Sequence, residues 1–464
     1  MKDFYCLVKP DSPEEMRPGP AIQPSLRRLW AIAFLAVVVK AILLFGLFPY
    51  FQTHFPKAYS AGGFADGYNL IAWNLVQGNG YRMFPDTSLT MLRTPGYVLL
   101  LSLIFAVFGQ QLVVVQFVNV VFSSITAVLT HVLARRAGLS RTAAIIAPLV
   151  FFFHPGILVA ESRGGLECML TLCLAASVLY ALIAIERQNL AGFAIAGILN
   201  GLAMLVKSSV APVLPALLLY SMWKTGDGFV RRKILAGMVI CGLATLLVMT
   251  PWIVRNYRLS GEFVPTMTLD GMAWFQGSYV IKHLDSNLEY FEILNHASDE
   301  QTTIANAMGL KSKGVFFIQF FTVEDEVSFY RELGRHGLDE YRREPWLILQ
   351  GIIHNAWYFW VGGRTHQATI FNIILVLPLL ALSAIGLRAG IKLGLDVFQF
   401  ILVTIAFMIP HLLILAEARY HIPLIPFLAI LAAIPLANWL DNLALRRNSS
   451  GRTWRFVEMA VGRW

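Results

Sequence analysis

Charge is scarce in this chain. Asp, Glu, Lys and Arg make up 14% of its 464 residues, against 57% hydrophobic residues and a mean hydropathy of +0.62. That balance excludes a soluble globular domain and fits a polytopic membrane protein. Acid is scarcer than base: 28 Asp and Glu stand against 37 Lys and Arg, a net charge of +9. The excess does not imply a nucleic-acid partner. It sits in short groups such as Arg27-Arg28, Arg135-Arg136, Arg231-Arg232-Lys233 and Arg446-Arg447. These flank apolar runs, which is the positive-inside pattern and also attracts anionic lipid heads. Cysteine is rare too. Cys168, Cys173 and Cys241 lie in apolar segments and Cys6 in the N-terminal tail, with neither a disulfide framework nor a zinc-like spacing, so they read as core residues. No cleavable signal peptide is expected, because the apolar run after the polar, proline-containing residues 1–28 is too long for one. Internal repeats and low-complexity segments are also lacking.

What is present is a series of apolar segments. A helix needs about 17–25 of them to cross the hydrocarbon core, where the backbone must satisfy its own polar groups. The sequence predicts an all-α membrane protein with about ten transmembrane helices (eight to twelve), near 29–49, 111–133, 142–159, 165–185, 190–206, 209–223, 234–252, 368–388, 396–416 and 420–438. The pair 190–206 and 209–223 is short enough to be re-entrant. Ten spans put both termini on one side, and the basic tails 1–28 and 439–464 make it the cytoplasm. The organisation expected is a transmembrane module over 29–252 that includes a first extracytoplasmic loop, 50–110. A second loop follows over 253–367, then the helices of 368–438. Inside the first loop, Tyr97 to Phe108 is too short to span and is placed at the interface. Pro345 to Trp360 is read as an amphipathic surface helix, with Trp357 to Trp360 as an interface belt.

The first loop carries the chemistry-bearing residues. Asp66 stands in Ala61-Gly62-Gly63-Phe64-Ala65-Asp66-Gly67-Tyr68, followed by Ala72, Asn74-Leu75, Gly78-Asn79-Gly80-Tyr81 and Arg93-Thr94-Pro95-Gly96-Tyr97. Later come His154-Pro155 with Glu167, Gly197-x3-Gly201 leading to Lys207, Pro251-Trp252-x2-Arg255-Asn256 with Val264-Pro265, and Arg419-Tyr420-x-Ile422-Pro423. In order and spacing these motifs resemble the C-type (GT-C) membrane glycosyltransferases. More narrowly, they resemble the protein-mannosyltransferase-like branch, which includes bacterial aminoarabinose and galacturonic acid transferases. Two positions depart from that pattern. Gly67 stands where members often carry a second acid, and Leu166 where Thr is common before the Glu.

The resemblance implies a sugar donor linked to polyprenyl phosphate and an extracytoplasmic acceptor in a bacterial inner membrane, with inversion at the anomeric carbon. Such a transfer needs a base for the acceptor hydroxyl and cations for the departing phosphate. Asp66 is the expected base, its pKa raised by desolvation and offset by nearby cations; the plain alternative is a cap on the helix beginning near Gly67. Glu167 either assists it or pairs with Arg163. Arg93, Arg255, Lys207 and Arg419 are the candidate phosphate ligands, with Arg93 and Arg255 expected to converge beside Asp66. Each could instead anchor at the headgroup level, and Arg419 could pair with Glu417. Tyr68 and Tyr97 are candidate substrate contacts. Gly78, Gly80 and Gly96 are read as turn residues, and Glu161 as an exposed loop acid. Lys40, within the first apolar segment, needs an intramembrane partner and has no assigned role. No metal ligands are assigned and no cofactor is required, although two acids are compatible with a divalent cation. Rival readings from other classes are a transporter or flippase of lipid-linked substrates and an inactive relative that binds them. Transporters are commonly built from repeats, which this chain lacks.

Overall fold

The computed structural model describes residues 38–47, 49–50, 66–286, 288–312, 318–363 and 365–461. The tail 1–28, most of the helix expected at 29–49 and the run 61–65 lie outside the described residues. The chain divides into two units, residues 1–51 and 52–464. In the first, residues 38–42, which include Lys40, are helical and continue into a π-helical stretch, Leu43–Leu47.

The described residues of the second unit are mostly helical, as its hydropathy leads one to expect. After Asp66 come α1 (Tyr68–Val76), α2 (Pro95–Phe108), α3 (Leu112–Arg136), α4 (Arg141–Phe152), α5 (Pro155–Ser162), α6 (Glu167–Arg187), α7 (Leu190–Val206), α8 (Val213–Lys224) and α9 (Gly228–Ser260). The second loop supplies α10 (Asp270–Lys282), α11 (Tyr290–Ala307), α12 (Val323–Arg343) and α13 (Trp346–Trp360). Then follow α14 (His366–Lys392), α15 (Phe398–Leu413), a 3-10 turn over Ala418–Leu424 and α16 (Ile425–Val461). One antiparallel pairing, Lys311 with Gln319 and Ser312 with Ile318, is the only strand contact among the described residues.

Among the described residues five helices are long and apolar enough to cross a membrane, or six if α4 and α5, bent by 43° at their junction, form one span. The structure does not confirm a count of ten. Helix α2, of 14 residues, fits the expectation for Tyr97 to Phe108. At about 1.5 Å per residue it is about 21 Å long, short of the ~30 Å hydrocarbon core. Its Leu99, Leu103 and Val107 form an exposed apolar stripe. Helix α9 overruns its expected end, so the Pro251-Trp252 motif is helical and the second loop begins after Ser260.

Small residues set the close contacts that position the site. A Cβ on Gly197 would strike the Cys241 carbonyl oxygen, and one on Gly201 would lie 2.7 Å from Val248 Cβ, so the Gly-x3-Gly stripe seats α7 against α9. Gly96 is no turn residue. A Cβ there would come within 2.7 Å of the Leu205 carbonyl, and Thr94 Oγ1 donates to the Val206 carbonyl (2.9 Å). The start of α2 is thereby fastened to the end of α7.

Candidate active site

Four separate segments deliver charged side chains to one place. Asp66 precedes α1, Arg93 precedes α2, Lys207 follows α7, and Arg419 lies in the 3-10 turn before α16. Asp66 and Gly67 are both left-handed, with φ 65° and 75°. Asp tolerates that region and Gly favours it. Gly67, not Asp66, stands at the N-cap of α1, and no side chain caps that helix. The helix-cap reading of Asp66 is therefore incorrect.

The Asp66 carboxylate turns instead to Arg419. Nη1 of the guanidinium donates to Oδ2 at 2.6 Å and Nη2 to Oδ1 at 3.4 Å. Arg419 Nε donates to Glu417 at 2.8 Å, and Glu167 lies 3.9 Å from Nη1. The pairing with Glu417 weighed for Arg419 is thus present, alongside the contact with Asp66. Lys207 Nζ sits 3.3 Å above the Tyr420 ring, and the Arg93 guanidinium 5.0 Å above the Tyr68 ring. Tyr68 meets the buried Tyr97 edge-on at 5.5 Å. Arg93 Nε and the Tyr97 hydroxyl have no hydrogen-bond partner among the described residues, so two donors remain open in this cluster.

Burial favours the protonated form of Asp66, but Arg419, Arg93 and Lys207 together outweigh it and hold the carboxyl well below the usual carboxylate range. The expected rise is thereby reversed. Burial also pushes the Lys207 ammonium down to about 7, with Arg419 adding to the fall and the acids opposing it.

Arg255 stands one layer away. Its Nη1 donates to the Thr90 carbonyl and to Asn256 Oδ1, both at 2.9 Å, and its guanidinium lies over Tyr81 (4.9 Å) and Trp252 (4.6 Å). It acts on Tyr81 and Glu326, whereas Arg419, Arg93 and Lys207 act on Asp66. The expected direct convergence of Arg93 and Arg255 is indirect: the Tyr81 hydroxyl, under Arg255, donates to the Arg93 carbonyl at 2.9 Å.

Other motif residues hold the frame. Asn74 Nδ2 donates to the Arg82 and Met83 carbonyls, Asn256 Nδ2 to that of Val264, and Trp252 Nε1 to that of Thr266. His154 caps α5 by accepting from the Gly156 N–H at 3.1 Å. Glu161 is fully buried and accepts from Ser123, contrary to the exposed acid expected. The residue that sequence reasoning missed is Glu326, also fully buried. It shares a helical stripe with Tyr330, Leu333, Gly337 and Tyr341, the buried face of α12, and that periodicity was the available signal. No group of three His, Cys, Asp or Glu suited to a metal occurs among the described residues. Asp66, Glu167 and Glu417 are instead gathered around Arg419.

Residues 92–254 match the family model of dolichyl-phosphate-mannose-protein mannosyltransferases. That stretch resembles the protein mannosyltransferases. It begins one residue before Arg93 and stops one residue before Arg255, so it contains Arg93, Glu167 and Lys207 but not Asp66, Arg255 or Arg419. A curated relative, the undecaprenyl phosphate-alpha-4-amino-4-deoxy-L-arabinose arabinosyl transferase 1 of Pseudomonas fluorescens (strain Pf0-1), is 29% identical over 166 residues. The match covers 34% of this chain and 28% of that protein. Solved structures of ArnT from Cupriavidus metallidurans align at 14% identity and a TM-score of 0.39, without ligand (89% of this chain, 78% of that one) and with undecaprenyl phosphate (90% and 80%). The family-model and curated matches agree with the resemblance that the motifs carry.

Proposed function

We propose that this protein is an integral membrane glycosyltransferase that moves one sugar from a polyprenyl-phosphate carrier to an extracytoplasmic acceptor. The observation that carries the reading is the meeting of one carboxylate, Asp66, with the cations of Arg419, Arg93 and Lys207 from three distant segments. A carboxylate beside a cluster of cations matches the two needs of the reaction. In the step proposed, an acceptor hydroxyl oxygen bonds to the anomeric carbon from the face opposite the phosphate. The carbon–oxygen bond to phosphate breaks, the hydroxyl proton passes to Asp66, and the polyprenyl phosphate leaves as an anion held by Arg93, Lys207 and Arg419.

The Asp66–Arg419 pair gives this scheme an order. While paired, Asp66 is a weak base. A donor phosphate that draws Arg419, Arg93 and Lys207 to itself removes the charges that suppress the Asp66 proton affinity, so the base strengthens when the donor is in place. Glu167, 3.9 Å from Arg419, shares that cation and is placed to assist. Tyr68, lying under Arg93, is backed by the wholly buried Tyr97, so of the two only Tyr68 is placed near where the sugar ring would rest.

The test is Asp66→Asn in a defined donor–acceptor assay. Asparagine is nearly isosteric but cannot take the proton, so turnover should fall by about two to four orders of magnitude with folding retained. Near-wild-type turnover would reject Asp66 and move suspicion to Glu167. Labelled donor that is translocated without transfer would support a flippase instead.

A further inference from the structure

Among the described residues Glu326 is the one acid of the second loop that turns wholly inward, and its hydrogen bonds reach the segment just ahead of Arg93. Its Oε1 accepts from the Met91 N–H at 2.9 Å and from the Thr268 hydroxyl at 2.6 Å. The Met91 carbonyl is taken by the Thr268 N–H (3.1 Å), and the Thr90 carbonyl by Arg255 (2.9 Å). Ser88 N–H donates to the Phe320 carbonyl at 2.8 Å, and Thr90 N–H to that of Tyr81 at 2.9 Å. Residues 88–91 are therefore clamped between the two loops, two residues before Arg93. Beyond Arg93, Thr94 is fastened to α7. A buried carboxylate is expensive unless it is hydrogen-bonded, and an apolar residue would fill this stripe of α12 without that cost. What the carboxylate adds is reach to one backbone N–H and one hydroxyl.

We infer that Glu326 is a positioning residue that fixes the backbone ahead of Arg93, so that the guanidinium stands over Tyr68 beside Asp66. This rests on the proposed reading of Arg93 as a ligand for the donor phosphate. Contact between the loops then governs donor affinity through geometry, with no atom of Glu326 on the substrate.

Two variants separate reach from charge. Glu326→Gln keeps the acceptor oxygen at the same distance and loses the charge. Glu326→Asp keeps the charge and withdraws the oxygens by one methylene. Full-length protein is compared by amide hydrogen exchange and by titration with undecaprenyl phosphate. Glu326→Asp should speed exchange in the 88–94 segment and weaken the titrated affinity about tenfold, while Glu326→Gln stays within about twofold of wild type. Wild-type exchange at 88–94 in Glu326→Asp, or the reverse ranking of the two variants, overturns the inference. So does exchange raised equally through all helices, which marks a merely structural acid. Should wild-type protein fail to bind undecaprenyl phosphate, the donor reading falls, and the exchange data still judge the positioning.

Discussion

A lysine between two helix ends, facing an aromatic ring and a second cation, is poised to lose its proton. Lys207 lies over Tyr420 with Arg419 nearby, and burial brings its ammonium down to about 7 from an ordinary 10.5. Between those values the unfolded chain holds the proton and the folded chain does not, so this group makes stability rise with pH over that window. Phosphate binding runs the other way, because it requires the ammonium. The profile of kcat/KM reports the free protein, so it should fall as pH passes upward through about 7. Replacing Lys207 with Arg, whose charge persists, should flatten that limb. A limb unchanged in Lys207→Arg would assign it to another group. Asp66 adds no acid limb in the usual carboxylate range, because its neighbours hold its pKa well below that range.

The helices show what hydropathy can and cannot give. Long apolar runs appear as α3, α6, α9 and α14 near their expected positions, because burying a backbone in lipid leaves few alternatives to a helix. The run expected at 142–159 is instead broken at His154-Pro155, since Pro removes an N–H donor and the His side chain caps the new helix. The site was legible where motifs name residues, at Asp66, Arg93, Lys207 and Arg419. It was legible at Glu326 only through the periodic buried stripe of α12, and not at Glu161, because whether that acid faces in or out depends on tertiary partners that no local pattern names. The same limit applies to Gly197, whose motif gives no hint that α9 lies against it. Gly197→Leu should drive a side chain into the Cys241 carbonyl, and overpacking of this kind costs about 1–3 kcal/mol. Thermal unfolding in detergent should show a lower midpoint, whereas Gly226→Ala, where a Cβ meets nothing, should leave it unchanged.

The larger unit has two chemically different ends. At one, the close of α3 meets the close of α6 through Arg136 and Glu186, Lys224 pairs with Asp396 at 2.8 Å, and Asp396 N–H reaches the Ala137 carbonyl at 3.3 Å. That end collects the basic helix termini Arg135, Arg136, Arg187, Lys224 and Lys392. At the other, the first and second loops are joined by Ser88 to Phe320 and by Met91 to Thr268 and Glu326. Asp66, Arg93, Lys207 and Arg419 lie at that end, within reach of both loops. Loops that share hydrogen bonds must share a side of the membrane, and the positive-inside bias predicts that the basic end faces the cytoplasm. Single cysteines placed at Asp86 and Thr303, both exposed and one in each loop, should therefore react with an impermeant thiol reagent from the same side. Cysteines at Gly226 and Lys392 should react only after the membrane is opened, in a background lacking the four native cysteines. Labelling of Asp86 and Lys392 from one side would separate the loops from the topology their sequence charges predict. It would also place the cation cluster on the wrong face for an extracytoplasmic acceptor.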